Sequence, residues 1–193
     1  MKKIPTLFIR DYHDDHSFTI TNKVTPGCEW VLKEEGIATL KIDGSCAAII
    51  DGVFFRRYDA KKGKIPPVGA IPCCDPDPVT GHWPHWIKVD PEDKGAKWYY
   101  EAYLNSNGES LPDGTYEVVG PHFRDNPYNL SKDVLERHGA QILDVPRSFE
   151  GIKKYLEENY IEGIVFWKDG EPKCKIKRKD FGLPWNRKEN KLD

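Results

Sequence analysis

Apolar and polar positions alternate over short stretches along most of this chain, and a period of two predicts strands. Thr6 to Arg10 and Ser17 to Thr21 read as two strands around a polar turn rich in Asp and His. Val24 to Trp30, with Pro26 and Gly27, reads as a connection, and Ile37 to Ile42 as a strand. Cys46 to Ile50 and Val53 to Tyr58 flank Asp51-Gly52, the signature of a two-residue type I′ hairpin. That register pairs Ile50 with Val53, Ala47 with Arg56 and Cys46 with Arg57. Thr115 to Val119 is β-branched and carries Glu117 on the face opposite Tyr116 and Val118. Ile142 to Val145 is a further short strand. Tyr160 to Lys168 runs into Asp169-Gly170 and returns as Lys173 to Lys177, a second hairpin. A two-residue turn pairs Lys168 with Glu171, Ile164 with Lys175 and Glu162 with Lys177. A four-residue loop around Pro172 keeps the same parity. Either register therefore puts Glu162, Lys175 and Lys177 on one face.

Three stretches carry a helical period instead. Lys97 to Leu104 has an aromatic face, and Ser131 can cap a helix reaching His138. Ser148 can cap another, with Phe149, Ile152, Leu156 and Tyr160 as its apolar stripe. Ile65 to Pro91 has neither period. Its seven prolines forbid long regular elements. Cys73, Cys74, His82 and His85 lie in this loop, but adjacent cysteines are not the usual paired-ligand spacing of a zinc site. Trp83 and Trp86 either stack on bases or pin the loop to the core, and pinning is the stronger reading.

Composition narrows the class. With 193 residues, 38% apolar and 31% charged, the chain predicts one globular domain with a real core. No apolar run reaches the length of a membrane span, and Met1-Lys2-Lys3-Ile4-Pro5 leads into no apolar signal region. Five cysteines without a disulfide spacing predict a reducing, cytoplasmic setting. A net charge of −2 gives no global basic field. Nucleic-acid binding would need a local patch, and the C-terminal stretch offers Lys173, Lys175, Lys177, Arg178, Lys179, Arg187, Lys188 and Lys191.

Lys41 is the position with the sharpest chemistry. It ends an apolar strand, and Asp43-Gly44 follows two residues on. A lysine near pKa 10.4 gives up its proton at neutral pH at a cost of roughly 4–5 kcal/mol. Burial and neighbouring cations lower that cost and turn the amine into a nucleophile. The plain alternative is a surface lysine before an Asp-Gly turn. Lys175 and Lys177 are candidate cations. Arg56 and Arg57 are both candidate anion contacts, because Gly44 can break the strand parity that would choose between them.

Taken together, Lys41-Ile-Asp-Gly44, Glu117 with Gly120, Glu162-Gly163-Ile-Val165 and Lys175-Ile-Lys177 stand in an order that resembles the covalent nucleotidyltransferases. These are the ATP-dependent polynucleotide ligases and the mRNA capping enzymes. Ile71-Pro72 to Trp86, Thr115 to Pro121 and Lys175 to Trp185 look like RNA ligases that join a 5′-phosphate to a 3′-hydroxyl. The resemblance implies an α+β, ATP-grasp-like adenylyltransferase domain over residues 1–193, with two antiparallel β-sheets flanked by helices and a nucleotide pocket between them.

The resemblance also implies roles. Lys41 would attack the ATP α-phosphorus and carry AMP. Lys175 and Lys177 would bind the α-phosphate and lower the pKa of Lys41. Arg56 or Arg57 would contact the nucleotide or the RNA end. Asp43, Glu117 and Glu162 would hold Mg²⁺ (Mn²⁺ as an alternative), partly through water, or Glu117 would bond the ribose. Phe166 and Ile142 are candidates to stack on adenine. The implied partners are ATP and RNA with 5′-phosphate and 3′-hydroxyl ends, with no membrane and a monomeric protein. Sixteen residues follow Lys177. No C-terminal oligonucleotide-binding or helical domain is therefore expected, which weighs against a capping enzyme. The competing readings are a DNA ligase, a GTP-dependent capping-type enzyme, or a binding domain of the same fold without turnover.

Overall fold

The computed structural model describes residues 3–185. In chain order its strands are β1 (Phe8–Tyr12), β2 (Phe18–Val24), β3 (Ile37–Lys41), β4 (Ser45–Ile50), β5 (Val53–Ala60), β6 (Ile71–Pro72) and β7 (Trp83–Lys88). There follow helix α1 (Lys97–Asn105), β8 (Gly114–Val119), β9 (Val134–Arg137), β10 (Ile142–Leu143), helix α2 (Phe149–Glu158), β11 (Gly163–Lys168) and β12 (Glu171–Lys177). All the sheets are antiparallel, so the class is α+β as expected. No helix among the described residues is long and apolar enough to cross a membrane.

The described chain divides into two compact units, one from Asp43 to His138 and one combining Lys3–Ile42 with Gly139–Trp185. The first is built on a six-stranded sheet ordered β6-β7-β5-β4-β8-β9. Asp51 and Gly52 both have positive φ, 51° and 72°, and the β4–β5 hairpin takes the predicted register, with Ile50 opposite Val53 and Ala47 opposite Arg56. One sheet face, with Ala47, Ile49, Phe54, Tyr116, Val118 and Leu135, packs under the aromatic side of α1. The other face carries Ala48, Phe55 and Trp86, with Cys46 alongside.

Two elements of this unit differ from the sequence expectation. Ser131 to His138 is not helical, and β9 runs through its second half. The outer backbone edge of β8 needs partners, and β9 supplies them while Leu135 drops into the core. The proline-rich stretch contains β6 and the six-residue β7. Pro84 is accommodated beside the short β6, where its carbonyl accepts the Cys73 N–H at 2.9 Å. Trp86 is buried and Trp83 donates to the Cys74 carbonyl at 2.8 Å, so both pin the loop.

The second unit holds a four-stranded sheet ordered β10-β3-β11-β12 and the two-stranded ribbon β1-β2. Ser148 caps α2 by accepting the Gly151 N–H at 3.1 Å, and Ile152 and Leu156 of that helix are fully buried. They pack with Leu7, Phe8, Val31, Ala38, Ile164, Phe166, Cys174 and Ile176. Each Leu, Ile, Val or Phe among them contributes about 1.5–3 kcal/mol by leaving water.

The β11–β12 hairpin corrects the predicted register. Lys168 opposes Glu171 and Trp167 opposes Pro172 as expected, but Phe166 then opposes Cys174. Lys173 is the extra residue of a bulge, and every later pair slips by one. In the unbulged register Lys175 would share the face of Ile164, which is fully buried. The bulge sends Cys174 and Ile176 into the core instead and turns Lys175 and Lys177 out of it.

Arg178 also departs from the expected basic patch. It is 5% exposed, and its guanidinium donates to the carbonyls of Leu156, Asn159 (2.9 Å) and Pro184 (3.0 Å). Its charge ties down the chain after β12. Arg187, Lys188 and Lys191 lie outside the described residues.

Candidate active site

The candidate residues form two groups, one in each unit. The first stands on β3, β11 and β12. Gly163 of β11 lies between Lys41 of β3 and Lys177 of β12, and two rows on Val165 lies between Thr39 and Lys175. Both lysines of β12 therefore share the sheet face of Lys41. Glu162, one residue before β11, reaches the same place. Its Oε2 accepts from Lys41 Nζ at 2.7 Å, and its Oε1 lies 3.6 Å from Lys177 Nζ. The Glu162 side chain is 8% exposed, against 20% for Lys41 and 33% for Lys177. A carboxylate this enclosed is stable because two ammonium groups answer it.

Among the described residues no carboxylate pairs directly with Lys175. Burial first, and then repulsion from Lys177 and Lys41, lower its pKa from the ordinary 10.5 to about 8, while Glu162 pulls the other way. Unfolding restores the ordinary value, so between pH 8 and 10.5 the unfolded chain binds more protons and this group's penalty on folding fades as pH rises. Lys175→Met is thus expected to raise stability at pH 7 by up to about 3 kcal/mol, an upper bound because the side chain keeps some solvent. The gain should shrink through pH 8–10. Denaturant midpoints of the two proteins across that range check it, and a gain independent of pH contradicts it.

Gly163 is what lets the row close. A Cβ there would stand 2.2 Å from the Ile176 carbonyl oxygen and 2.9 Å from the Lys177 Cα. Neither backbone atom can give way cheaply, so Gly163→Ala is expected to cost about 1–3 kcal/mol in thermal or denaturant unfolding. An unchanged midpoint would contradict this crowding.

The second group belongs to the six-stranded sheet. Glu117 of β8 lies opposite Cys46 of β4 and on the face away from α1, as its parity predicted. Its Oε1 accepts the Gly44 N–H at 3.1 Å, and its Oε2 accepts from His138 Nε2 at 2.8 Å. Gly44 must be glycine here, since a Cβ would meet the Val118 carbonyl oxygen at 2.3 Å and the Glu117 Cγ at 2.8 Å. Asp43 is buried, with its own N–H donating to Tyr128 Oη at 2.7 Å. Arg124 Nε donates to the Gly44 carbonyl at 2.9 Å.

The two arginines separate. Arg56 lies opposite Ala47, on the α1 face, 3.5 Å from Asp93. Arg57 alternates to the other face, that of Cys46 and Glu117, and donates to Asp59 at 2.8 Å. Burial and Glu117 push the Cys46 thiol up to about 12, which Arg57 partly offsets.

So Lys41, Glu162, Lys175 and Lys177 are brought together in one unit, and Asp43, Glu117, Arg56 and Arg57 belong to the other. Of the two stacking candidates, Phe166 is fully buried among Ala38, Ile164 and Cys174, so it has no face to offer a base. Ile142 is 68% exposed on the edge strand β10. His138, Tyr128 and Arg124 were not singled out from the sequence. His138 was visible only as the end of an expected helix, and its partnership with Glu117 requires the β8–β9 register. Cys73, Cys74, His82 and His85 are not among the described groups whose ligand atoms converge, whereas Cys46, Glu117 and His138 are.

The fold is therefore an antiparallel α+β arrangement that holds a lysine–glutamate–lysine cluster at one sheet face. No family profile matches the sequence. RNA ligase 1 of Danio rerio is 28% identical over 137 residues, with 54% of this chain and 42% of that protein covered. The chain thus spans less than half the length of this relative, and the similarity points towards an RNA ligase family.

Proposed function

We propose that this chain is an ATP-dependent RNA ligase working through a covalent lysyl-AMP at Lys41. The observation that carries the reading is the hydrogen bond from Lys41 Nζ to Glu162, with Lys177 on the same carboxylate and Lys175 on the same sheet face. The distant similarity to an RNA ligase supports it. In this reading Glu162 holds the Lys41 amine on station. Lys175 and Lys177 offer positive charge to the α-phosphate, where it counts most as charge builds up on phosphorus. The deprotonated amine attacks the α-phosphorus, the bond to the β-phosphate breaks, and pyrophosphate leaves. The AMP then passes to an RNA 5′-phosphate, and a 3′-hydroxyl displaces it to seal the strand. Positioning and charge neutralisation do most of the work in such phosphorus chemistry.

Carboxylate oxygens suit Mg²⁺, and Glu162 is the carboxylate that the lysine cluster would offer it. Glu162 is already engaged by Lys41 and Lys177, so the ion would be held there largely through its own waters. The ion would neutralise phosphate charge and the leaving pyrophosphate.

The test is intact-mass measurement after incubation with Mg²⁺ and either ATP or GTP, then a sealing assay on 5′-phosphorylated RNA and DNA. One AMP added from ATP, followed by RNA joining, is the expected result. A GMP adduct only, or joining of DNA only, overturns the reading in favour of its competitors. No adduct with either nucleotide removes the covalent mechanism.

A further inference from the structure

The six-stranded sheet presents a second constellation, built around Glu117 with two donors that the ligase reading leaves unused. Three neighbouring strands each aim one donor at a common point on the face away from α1. Cys46 comes from β4, Glu117 from β8, and His138 from the residue just after β9. One ligand atom from each lies within 4.8 Å of the other two. We propose that Cys46, Glu117 and His138 form a binding site for a borderline-soft divalent metal ion of the Zn²⁺ or Co²⁺ type.

The donor set carries the choice of ion. One sulfur, one imidazole nitrogen and one carboxylate oxygen suit Zn²⁺ and Co²⁺, whereas Mg²⁺ and Ca²⁺ want oxygen alone. A thiolate and a carboxylate also balance the charge of a dication. Cys46 and Glu117 stand on paired strands, and the His138 N–H donates to the Thr115 carbonyl at 3.1 Å, so the three backbones are fixed before an ion arrives.

The surroundings supply the outer support that such sites use. His138 Nδ1 lies 3.0 Å from the Thr115 hydroxyl, while Nε2 faces Glu117. With a metal bound, the imidazole proton sits on Nδ1 and donates to Thr115 Oγ1, which frees the Nε2 lone pair for the ion. The other oxygen of Glu117 is already held by the Gly44 N–H. Burial and Glu117 hold Cys46 as a thiol, which Arg57 only partly offsets, so a bound ion itself would drive the loss of the thiol proton. On binding, the thiol proton is released to solvent, the imidazole proton moves from Nε2 to Nδ1, and no electrons change hands. Three protein ligands leave a position of a tetrahedral ion open for water or an oxyanion.

Co²⁺ added to the metal-free full chain is the probe, because a cobalt–thiolate bond gives a near-ultraviolet charge-transfer band and tetrahedral cobalt an intense visible spectrum. The expected result is one equivalent bound with both signals, displaced by Zn²⁺. Cys46→Ser should abolish the thiolate band and weaken binding by at least ~100-fold, and Thr115→Val should weaken it ~10–100-fold with the band retained. The double variant Cys73→Ser/Cys74→Ser should match the parent. Near-ultraviolet circular dichroism of each variant without metal establishes that it is folded. An absent thiolate band in the parent, its survival in folded Cys46→Ser, or its loss in the Cys73/Cys74 variant overturns the proposal. None of these readings depends on ligase activity, so they stand apart from the adenylylation test.

Discussion

Replacing Lys41 with alanine is expected to leave a folded protein that takes up no AMP. The amine is the group that would form the covalent bond, and no other lysine of the cluster occupies its place against Glu162 Oε2. Loss of a nucleophile typically lowers turnover by on the order of 10⁴-fold or more, which in a mass measurement reads as no adduct. The structural cost is smaller. Glu162 loses one charged hydrogen bond but keeps Lys177 at 3.6 Å. About 1–3 kcal/mol is the expected penalty, against the 5–15 kcal/mol of an ordinary domain. Lys41→Arg is the informative companion. It preserves the positive charge and a hydrogen bond to Glu162, but its guanidinium stays protonated and cannot attack phosphorus. Both variants should be blank in the ATP incubation. An adduct that survives in either one moves the nucleophile elsewhere.

Glu162→Ala is expected to have the next largest effect. It removes the acceptor that fixes Lys41 and exposes Lys41, Lys175 and Lys177 to one another's charge. A catalytic group displaced by about 1 Å loses on the order of 10²-fold in rate, so adduct formation should slow by at least that factor. Stability should fall as well, since an enclosed acceptor of two ammonium groups has gone and like charges remain. Glu162→Gln separates the two contributions. Its amide oxygen still accepts the Lys41 hydrogen bond, but it no longer cancels charge. It should recover most of the positioning and little of the electrostatic benefit, placing its single-turnover rate between parent and alanine variant. Equal rates for all three proteins would show that Glu162 does not position Lys41.

Much of the frame was legible in the residues themselves. Asp51-Gly52 specified the β4–β5 turn, because only positive φ at both positions matches the twist of the flanking strands, and the pair Ala47–Arg56 followed from it. The same alternation put Glu117 on the face opposite Tyr116 and Val118. The Ser148 cap of α2 and the stripe residues Phe149, Ile152 and Leu156 were written into local spacing, whereas Tyr160 falls beyond the helix end at Glu158 and stays exposed. These features depend on neighbours within a few residues.

The site depended on longer-range decisions. The β11–β12 turn was read correctly, but the bulge at Lys173 was not, and one extra residue reverses the face of everything beyond it. The reason for the bulge is tertiary: Cys174 and Ile176 have a core to enter on the side of Ile164 and Phe166. Only after that slip do Lys175 and Lys177 share the face of Lys41, with Glu162 arriving from outside the strand. The conversion of Ser131–His138 from an expected helix to β9 has the same origin, because its partner is the free edge of β8, seventeen residues earlier at Val118–Leu135 and not visible in local spacing. The sequence by itself determined which residue types carry the chemistry and the local turns that begin and end their strands. The tertiary structure alone decided which face each strand turned inwards, because burying apolar area is a property of the assembled core and outweighs local alternation.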